Sequence, residues 1–208
     1  MLDRLLLGFP SARALRSRYL FAKREIHWAL QASGRDREIN ILSIPSGYAR
    51  EQFEVADELR AAGDPGYART RWRALDLDEL LVEQLGARAR EAGHAMTFVV
   101  GDALSEDFEA GWCDLAISMG FTEFLDDRQT ERFYRLVHRR LRPGGRFVTS
   151  GMRPHRLSDY LLRNIGELHT SYRTEAELRA LCERAGFTGI RAWHDATGLQ
   201  TMIVAVKE

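Results

Sequence analysis

The strongest constraint on the fold is a regular alternation of short apolar runs with amphipathic stretches. The runs are rich in β-branched residues and end at turn residues, as is typical of strands. In the stretches between them, apolar residues recur at steps of three and four, as in helices that bury one face. The first pair consists of residues 39–44 and 48–62. Repetition of such pairs predicts a parallel sheet covered by helices.

Seven strands follow from this pattern, and the last two come in succession without a helix between them. We therefore predict an α/β fold: a Rossmann-like, doubly wound, mostly parallel seven-stranded sheet with helices on both faces. The predicted strands are 39–44, 71–75, 96–100, 113–118, 146–149, 189–193 and 201–206, and the predicted helices are 11–32, 48–62, 79–92, 128–141, 158–168 and 174–185.

The N-terminal segment admits two interpretations. Its first 24 residues are rich in arginine and contain one acid, Asp3, as do organelle transit peptides. The helical periodicity that begins at residue 11 favours a helix packed on the domain instead. We therefore predict an N-terminal helical lid or cap over residues 1–34 and an α/β domain over residues 35–208.

Composition narrows the classes of partner. The 208 residues suit one α/β domain, and a formal net charge of zero disfavours nucleic acid and anionic membranes as partners. No apolar run reaches the roughly 18–20 residues that span a bilayer. Two cysteines, Cys113 and Cys182, lie in apolar surroundings and suit a reducing compartment, so we predict a cytoplasmic protein. We expect it to be a monomer or a homodimer.

In doubly wound sheets, ligands bind beyond the carboxyl ends of the strands, so the residues there are the candidate site. The first strand runs into a turn that contains Ser43, Pro45, Gly47 and Tyr48. A glycine at this turn lets the backbone approach a ligand, and the helix that follows offers free N–H groups to a carboxylate. An ordinary β-turn-α connection would look the same if this turn were read alone.

Acidic residues follow the second and third strands. Asp76, with Leu77 beside it, can accept hydrogen bonds from both hydroxyls of a ribose, whereas Asp78 is better placed to cap the next helix. Asp102, followed by Ala103, can accept from an adenine amino group, or serve as a plain turn residue. Together the two strand ends predict a nucleoside site.

The order of these segments resembles the class I S-adenosylmethionine-dependent methyltransferases, and the resemblance covers about residues 39–206. The turn Leu141-Arg142-Pro143-Gly144-Gly145 before the fifth strand also matches. The resemblance implies S-adenosylmethionine as cofactor, with its methionine part at the first loop, its ribose at Asp76 and its adenine at Asp102. The residues implied at the cofactor are Ser43, Pro45, Gly47, Tyr48, Asp76, Leu77, Asp102, Ala103, Ser118 and Met119.

The first loop departs from the usual pattern of that superfamily at two positions. Ser43 stands where an acid is usual, and Pro45, which has no N–H, stands where a glycine is usual. In this respect the chain resembles a bacterial subgroup whose first loop reads Ser-hydrophobic-Pro-small-Gly. The first strand thus lacks the expected charge partner for the cofactor's amino group. Backbone carbonyls are one substitute, and weakened or lost cofactor binding is the other outcome.

Two side chains are candidates for moving a proton from a methyl acceptor. Glu123 follows the fourth strand, and His155 follows the fifth and titrates near neutral pH. No spacing of His, Cys, Asp or Glu matches a metal site, so none is predicted. Arg153, Arg156 and Arg163 lie close to His155 in sequence and suggest an anionic acceptor.

These residues predict a methyltransferase that acts on a small molecule at oxygen, nitrogen or carbon. The loop Ser118-Met119-Gly120-Phe121 lacks the Asn/Asp-Pro-Pro-aromatic pattern of enzymes that methylate amino groups of bases or glutamine. A nicotinamide-dependent oxidoreductase is disfavoured because the chain has no Gly-x-Gly-x-x-Gly loop. The alternative is a catalytically inactive protein of the same fold that binds a ligand or a partner.

Overall fold

A computed structural model of the chain describes residues 10–34, 37–106, 109–153 and 170–208. Its strands form one seven-stranded sheet in the order β3-β2-β1-β4-β5-β7-β6. The strands are β1 (Ile39–Ser43), β2 (Thr70–Asp76), β3 (Met96–Val100), β4 (Cys113–Ser118), β5 (Leu141–Met152), β6 (Thr188–His194) and β7 (Gln200–Val206). The α-helices are α1 (Pro10–Ala32), α2 (Arg50–Ala61), α3 (Gly66–Arg69), α4 (Glu79–Ala92), α5 (Asp127–Arg140) and α6 (Glu175–Arg184), and a 3₁₀ helix covers Phe121–Phe124.

Strands β1 to β5 pair in parallel, and β7 runs antiparallel to both of its neighbours, β5 and β6. The strand order reverses at β1, whose two neighbours are β2 and β4. This topology confirms the predicted Rossmann-like, mostly parallel sheet. The reversal opens a crevice above the carboxyl end of β1, where ligands bind in folds of this kind.

Both faces of the central strands are buried, and successive side chains of each strand point to opposite faces. Ile41 packs on one face with α1 and α2, and its neighbour Leu42 packs on the other with α5 and α6. The same alternation separates Val148 from Phe147 in β5. Continuous apolar runs such as these are expected for strands that are covered by helices on both sides.

Helix α1 packs on the sheet through a buried stripe that includes Phe21, Ala22 and Ile26. Glu25 on the same helix is buried and pairs with the guanidinium of Arg146 in β5. The second interpretation of the N-terminal segment, a helix packed on the domain, therefore describes residues 10–32. The division of the chain into a lid over 1–34 and a domain over 35–208 stays a prediction.

The structure differs from the predicted elements at three places. Strand β5 begins at Leu141 rather than at residue 146, because the Arg142-to-Gly145 turn bulges within the strand and the chain pairs with β4 on either side of it. A short helix, α3, precedes β2, and the 3₁₀ helix follows β4. The predicted helix 158–168 lies outside the described residues.

The predicted cap at Asp78 and the predicted apolar surroundings of the two cysteines are confirmed. Asp78 caps α4 by accepting from the N–H of Leu81 at 3.0 Å, and Thr174 forms a capping box with Glu177 at the start of α6. Cys113 and Cys182 are both buried and free. Among the described residues, no helix combines the length and the apolarity that crossing a membrane requires.

Candidate functional site

A cavity of about 930 Å³ lies beyond the carboxyl ends of β1, β2 and β4. Helix α1 forms one wall, the loop between β1 and α2 forms a second, and the segment after β4 forms a third. The lining residues are Ala12, Leu15, Arg16, Arg18, Tyr19, Leu20, Ala22, Ser43, Pro45, Ser46, Gly47, Tyr48, Ala49, Arg50, Glu51, Asp76, Ile117, Met119, Gly120, Phe121, Glu123 and Phe124.

Most of the sequence-predicted site residues meet in this cavity. It is lined by Ser43, Pro45, Gly47, Tyr48, Asp76, Met119 and Glu123. Leu77 is 71% exposed, and Asp102, Ala103 and Ser118 are also outside the lining. His155, Arg156 and Arg163 lie outside the described residues. Arg153 donates to the carbonyl of Gly198 at 3.0 Å and does not line the cavity.

The first loop is held between the two strands that flank β1. The N–H of Ile44 donates to the carbonyl of Ile117 in β4 at 2.8 Å, and the N–H of Ser46 donates to the carbonyl of Leu75 in β2 at 2.7 Å. Pro45, which has no N–H to offer, lies between these two anchors. The loop is therefore a fixed wall of the cavity.

Ala49 ends this loop in the left-handed conformation, with a φ angle of 46°. Non-glycine residues adopt this conformation at a cost of about 1–2 kcal/mol, which is why a glycine is favoured there. The methyl group of Ala49 is nevertheless buried, against Phe53 and Leu85. Packing of this methyl group offsets part of the backbone strain.

Asp76 joins the second strand to the first loop. Its Oδ2 accepts from the N–H of Gly47 at 2.8 Å, and its Oδ1 accepts from the N–H of Asp78 at 3.2 Å. Each carboxylate oxygen has a second lone pair for a further donor. Because Asp78 caps α4, as predicted, the side chain of Asp76 is left to face the cavity.

Asp102 follows β3, which pairs with β2 so that Val100 lies opposite Asp76. The carboxylate of Asp102 is exposed and accepts from the N–H of Leu104 at 2.8 Å, the geometry of a turn residue. Ala103 is buried in the core. The backbone N–H of Gly101 donates to the carbonyl of Asp76 at 2.9 Å, so the two acidic strand ends are adjacent.

Glu123 lies in the 3₁₀ helix after β4 and is paired with a residue that sequence analysis missed. The guanidinium of Arg18, from helix α1, donates to its carboxylate at 2.7 Å. Burial raises the pKa of Glu123, and the charge of Arg18 opposes that rise. Arg18 was missed because the pair joins residues 105 positions apart, and no local spacing marks such a contact.

Glu51 is a second cavity residue that sequence analysis missed. It lies in the first turn of α2, and its Oε1 accepts from the hydroxyl of Ser43 at 3.2 Å. Burial raises the pKa of Glu51, against hydrogen bonds from its own backbone and from Ser43. The sequence signal was an acid in the second position of the helix that follows the first loop, where a helix N-terminus favours negative charge.

No group of three or more His, Cys, Asp or Glu side chains in the described part of the chain is arranged to hold a metal ion. The charged side chains that line the cavity are three carboxylates and three guanidinium groups. Such a site can bind an organic ligand through charge-assisted hydrogen bonds.

Sequence comparison gives one family match. Residues 54–145 match the family model of a methyltransferase domain, a span that begins within α2 and ends in the bulge of β5. A search of the curated proteins finds no match to the chain.

Solved structures share the fold over nearly the whole chain. One, described as a possible exported protein from Bordetella parapertussis, is 25% identical, with a TM-score of 0.77, over 99% of this chain and 72% of that one. A SAM-dependent methyltransferase from Methanosarcina mazei is 19% identical, with a TM-score of 0.63, over 83% of this chain and 93% of that one.

A third structure, PigF with S-adenosylhomocysteine, is 22% identical and has a TM-score of 0.64. The match covers 81% of this chain but 50% of PigF, so the chain spans about half the length of that relative. The family model and the solved structures agree on a methyltransferase-like fold. In residues 54–145 the chain is similar to a methyltransferase domain, and in its fold it is similar to S-adenosylmethionine-dependent methyltransferases.

Proposed function

We propose that this chain binds S-adenosylmethionine in the cavity above β1 and transfers its methyl group to a small-molecule acceptor. The observation that carries the proposal is the meeting of the first loop, Asp76 and the end of β4 around one cavity. The first loop and Asp76 are two of the segments from which the sequence predicted a cofactor site, and Met119 at the end of β4 is among the residues that the resemblance implies. The match of residues 54–145 to a methyltransferase domain and the neighbour solved with S-adenosylhomocysteine support the same cofactor.

The described residues fit this cofactor. The cavity volume of about 930 Å³ falls within the range of roughly 300–1,000 Å³ that small-molecule sites span. Asp76 faces the cavity with free lone pairs, as an acceptor for ribose hydroxyls requires. Asp102 and Ala103, on the neighbouring strand end, are proposed to flank the adenine ring. Leu77 and Ser118 are proposed to support the same strand ends.

S-adenosylmethionine supplies an activated methyl group together with its own leaving group. The protein therefore has to position the acceptor, exclude water and, where needed, take a proton. Met119, Phe121 and Phe124 line the cavity after β4, and Leu15 and Leu20 line it from α1. These side chains favour an acceptor with an apolar body. Arg16 is a cation in the same lining that suits an anionic group on that acceptor.

Proton removal is assigned to Glu123, or to His155 outside the described residues. Glu123 lines the cavity, and burial raises its pKa, which is the direction that suits a general base. Its ion pair with Arg18 works against this role, since a paired carboxylate accepts a proton less readily.

Calorimetry with S-adenosylmethionine, S-adenosylhomocysteine and NAD tests the proposed cofactor. Preferential binding of the two adenosyl compounds is the expected result. Binding of NAD alone would overturn the proposal, and so would an absence of binding by all three. Transfer is then tested by following tritium from methyl-labelled S-adenosylmethionine into pooled small-molecule acceptors with apolar bodies.

The Arg18–Glu123 pair favours a second candidate function, which is ligand binding without methyl transfer. The guanidinium of Arg18 pairs with the carboxylate of Glu123, so that this carboxylate is less available as a base. The pair also connects helix α1 to the segment after β4 across the cavity. In this case the adenosyl compounds bind, but no acceptor is labelled. Labelled product in the tritium assay would exclude this candidate.

A further inference from the structure

The first strand of the cavity carries a serine, Ser43, at the position where the superfamily resemblance leads one to expect an acid. The structure shows what stands beside it. Helix α2 begins at Arg50, and its second residue, Glu51, turns back toward the end of β1. The hydroxyl of Ser43 donates to Oε1 of Glu51 at 3.2 Å. A carboxylate therefore lies one hydrogen bond away from the side chain that replaces the acid.

Glu51 has no cationic partner among the described residues, within an ion-pair distance of 4.0 Å. Its neighbours on the same helix do: Glu54 pairs with Arg50 and Lys23, and Glu58 pairs with Lys23. Glu123, on the opposite wall of the cavity, pairs with Arg18. Burying a carboxylate without a counter-charge is unfavourable, so such groups are commonly paired or functional.

We propose that the carboxylate of Glu51 binds the ammonium group of the cofactor's methionine moiety, in place of the acid that β1 lacks. This inference rests on the proposed function, because it assigns one contact within the same site. Ser43 then acts as a positioning residue, whose hydroxyl orients Oε1 and leaves Oε2 to the ligand. Asp76, the other cavity carboxylate that forms no ion pair with a described residue, remains with the ribose at the end of β2.

Two features of the local structure suit Glu51 to this role. Burial raises the pKa of Glu51, but hydrogen bonds from its own backbone and from Ser43 oppose that rise, and a ligand ammonium would favour the ionised carboxylate further. The first loop is fixed to β2 and β4 by backbone hydrogen bonds, which holds the start of α2 in place. A preorganised charge binds a ligand ammonium without a cost for ordering the side chain.

The test combines Glu51→Gln with a change in the ligand. Wild type and variant are titrated by calorimetry with S-adenosylhomocysteine and with its deaminated analogue, in which hydrogen replaces the ammonium. Loss of a charged hydrogen bond should weaken S-adenosylhomocysteine binding by about 10- to 100-fold in the variant. The dissociation constants of the analogue for wild type and variant should agree within about threefold. The analogue has no ammonium group, so the substitution removes no contact with it.

Glu79→Gln is the matched control, because Glu79 also lies in the first turn of a helix that follows a strand, but it is exposed and outside the cavity. It should bind S-adenosylhomocysteine as wild type does. A double variant, Ser43→Asp with Glu51→Gln, returns the acid to β1 and should recover at least a tenth of the wild-type affinity.

The outcomes separate this inference from the proposed function. If wild type binds S-adenosylhomocysteine and Glu51→Gln binds it equally well, Glu51 is not the ammonium ligand, while the proposed function stands. An equal loss for both ligands would assign Glu51 a structural role and would also overturn the inference. If Glu51→Gln does not fold, the inference is tested with the two ligands on wild type. The analogue should then bind at least tenfold more weakly than S-adenosylhomocysteine, and equal affinities would overturn the inference. If neither compound binds wild type, the proposed function itself fails.

Discussion

The guanidinium of Arg18 lies 2.7 Å from the carboxylate of Glu123, and the two side chains are only 14% and 5% exposed. This pair connects helix α1 to the 3₁₀ helix after β4 across the cavity. Gly120 makes room for it, because a Cβ at that position would collide with the guanidinium. The pair therefore fixes one wall of the cavity against another.

Arg18→Ala should destabilise the protein by about 3 kcal/mol at pH 7. Removing one partner of a buried pair leaves an uncompensated charge, which costs about 3–5 kcal/mol, and the partial exposure of Arg18 favours the lower end. Urea unfolding monitored by circular dichroism measures the change. A double variant, Arg18→Ala with Glu123→Gln, should recover most of the loss, and a double variant as unstable as the single one would contradict this account.

The cost of Arg18→Ala should also shrink as the pH falls. Burial already raises the pKa of Glu123, and the loss of Arg18 removes a charge that opposes the rise. A raised pKa in the folded state means that the folded chain binds the proton more tightly than the unfolded chain does. Stability should therefore be regained as the pH drops through that pKa toward the unfolded value of 4.5. Unfolding curves at pH 7 and pH 5 check this, and an equal or larger cost at pH 5 would count against it.

Glu51→Gln should stabilise the ligand-free protein at neutral pH by about 0.5–2 kcal/mol, the usual range for a single stabilising substitution. The raised pKa of Glu51 means that ionisation opposes folding above that pKa, and glutamine does not ionise. The gain should vanish at acidic pH, where Glu51 is protonated. Thermal unfolding of the wild type, Glu51→Gln and Glu79→Gln between pH 4 and pH 8 measures it. A variant less stable than wild type at pH 8 would refute the prediction.

Asp76→Ala should weaken binding of adenosyl ligands by about 1–3 kcal/mol, the cost of losing charged hydrogen bonds. Asp78→Ala is the matched control two residues away. It removes the cap of α4 and should lower the free energy of unfolding by about 1 kcal/mol, with no change in affinity. Calorimetric titration of S-adenosylhomocysteine distinguishes the two. An unchanged dissociation constant in folded Asp76→Ala would show that Asp76 does not contact the nucleoside.

Neither cysteine should react with thiol reagents in the native protein. Burial raises the pKa of both Cys113 and Cys182 to about 12, so the reactive thiolate is scarce at pH 8 and is shielded from the reagent. Mass spectrometry after treatment with iodoacetamide should find no modification in buffer and two modifications in 6 M guanidinium chloride. Rapid modification in buffer would show that one thiol is accessible.

The fold could be predicted because its strands bury both faces and its turns are marked by glycine, proline and acids. Both types of signal are local, and so are the caps at Asp78 and Thr174. The start of β5 was predicted wrongly, because the Pro143-Gly144-Gly145 turn marks a bulge within the strand rather than its beginning. A bulge depends on the pairing with β4, which local sequence does not encode.

The site was predictable to the extent that its residues follow strands. Ser43 and Asp76 were placed correctly beside the cavity because the ends of parallel strands meet at one edge. Glu51 and Arg18 lie on helices, and their position at the cavity depends on how each helix docks on the sheet. The sequence of β1 alone shows no acid at this position. In the structure, a carboxylate from the neighbouring helix lies beside it.

Strand β7 occupies an interior position of the sheet, between β5 and β6, although it is the last strand in the described sequence. During synthesis on the ribosome, β6 therefore has no partner until residues 200–206 have emerged. Until then β5 presents an open edge on the side that β7 later covers, and nascent chains with open edges are prone to aggregate. A chain truncated before residue 200 should therefore leave these edges open and aggregate more readily than the full-length chain.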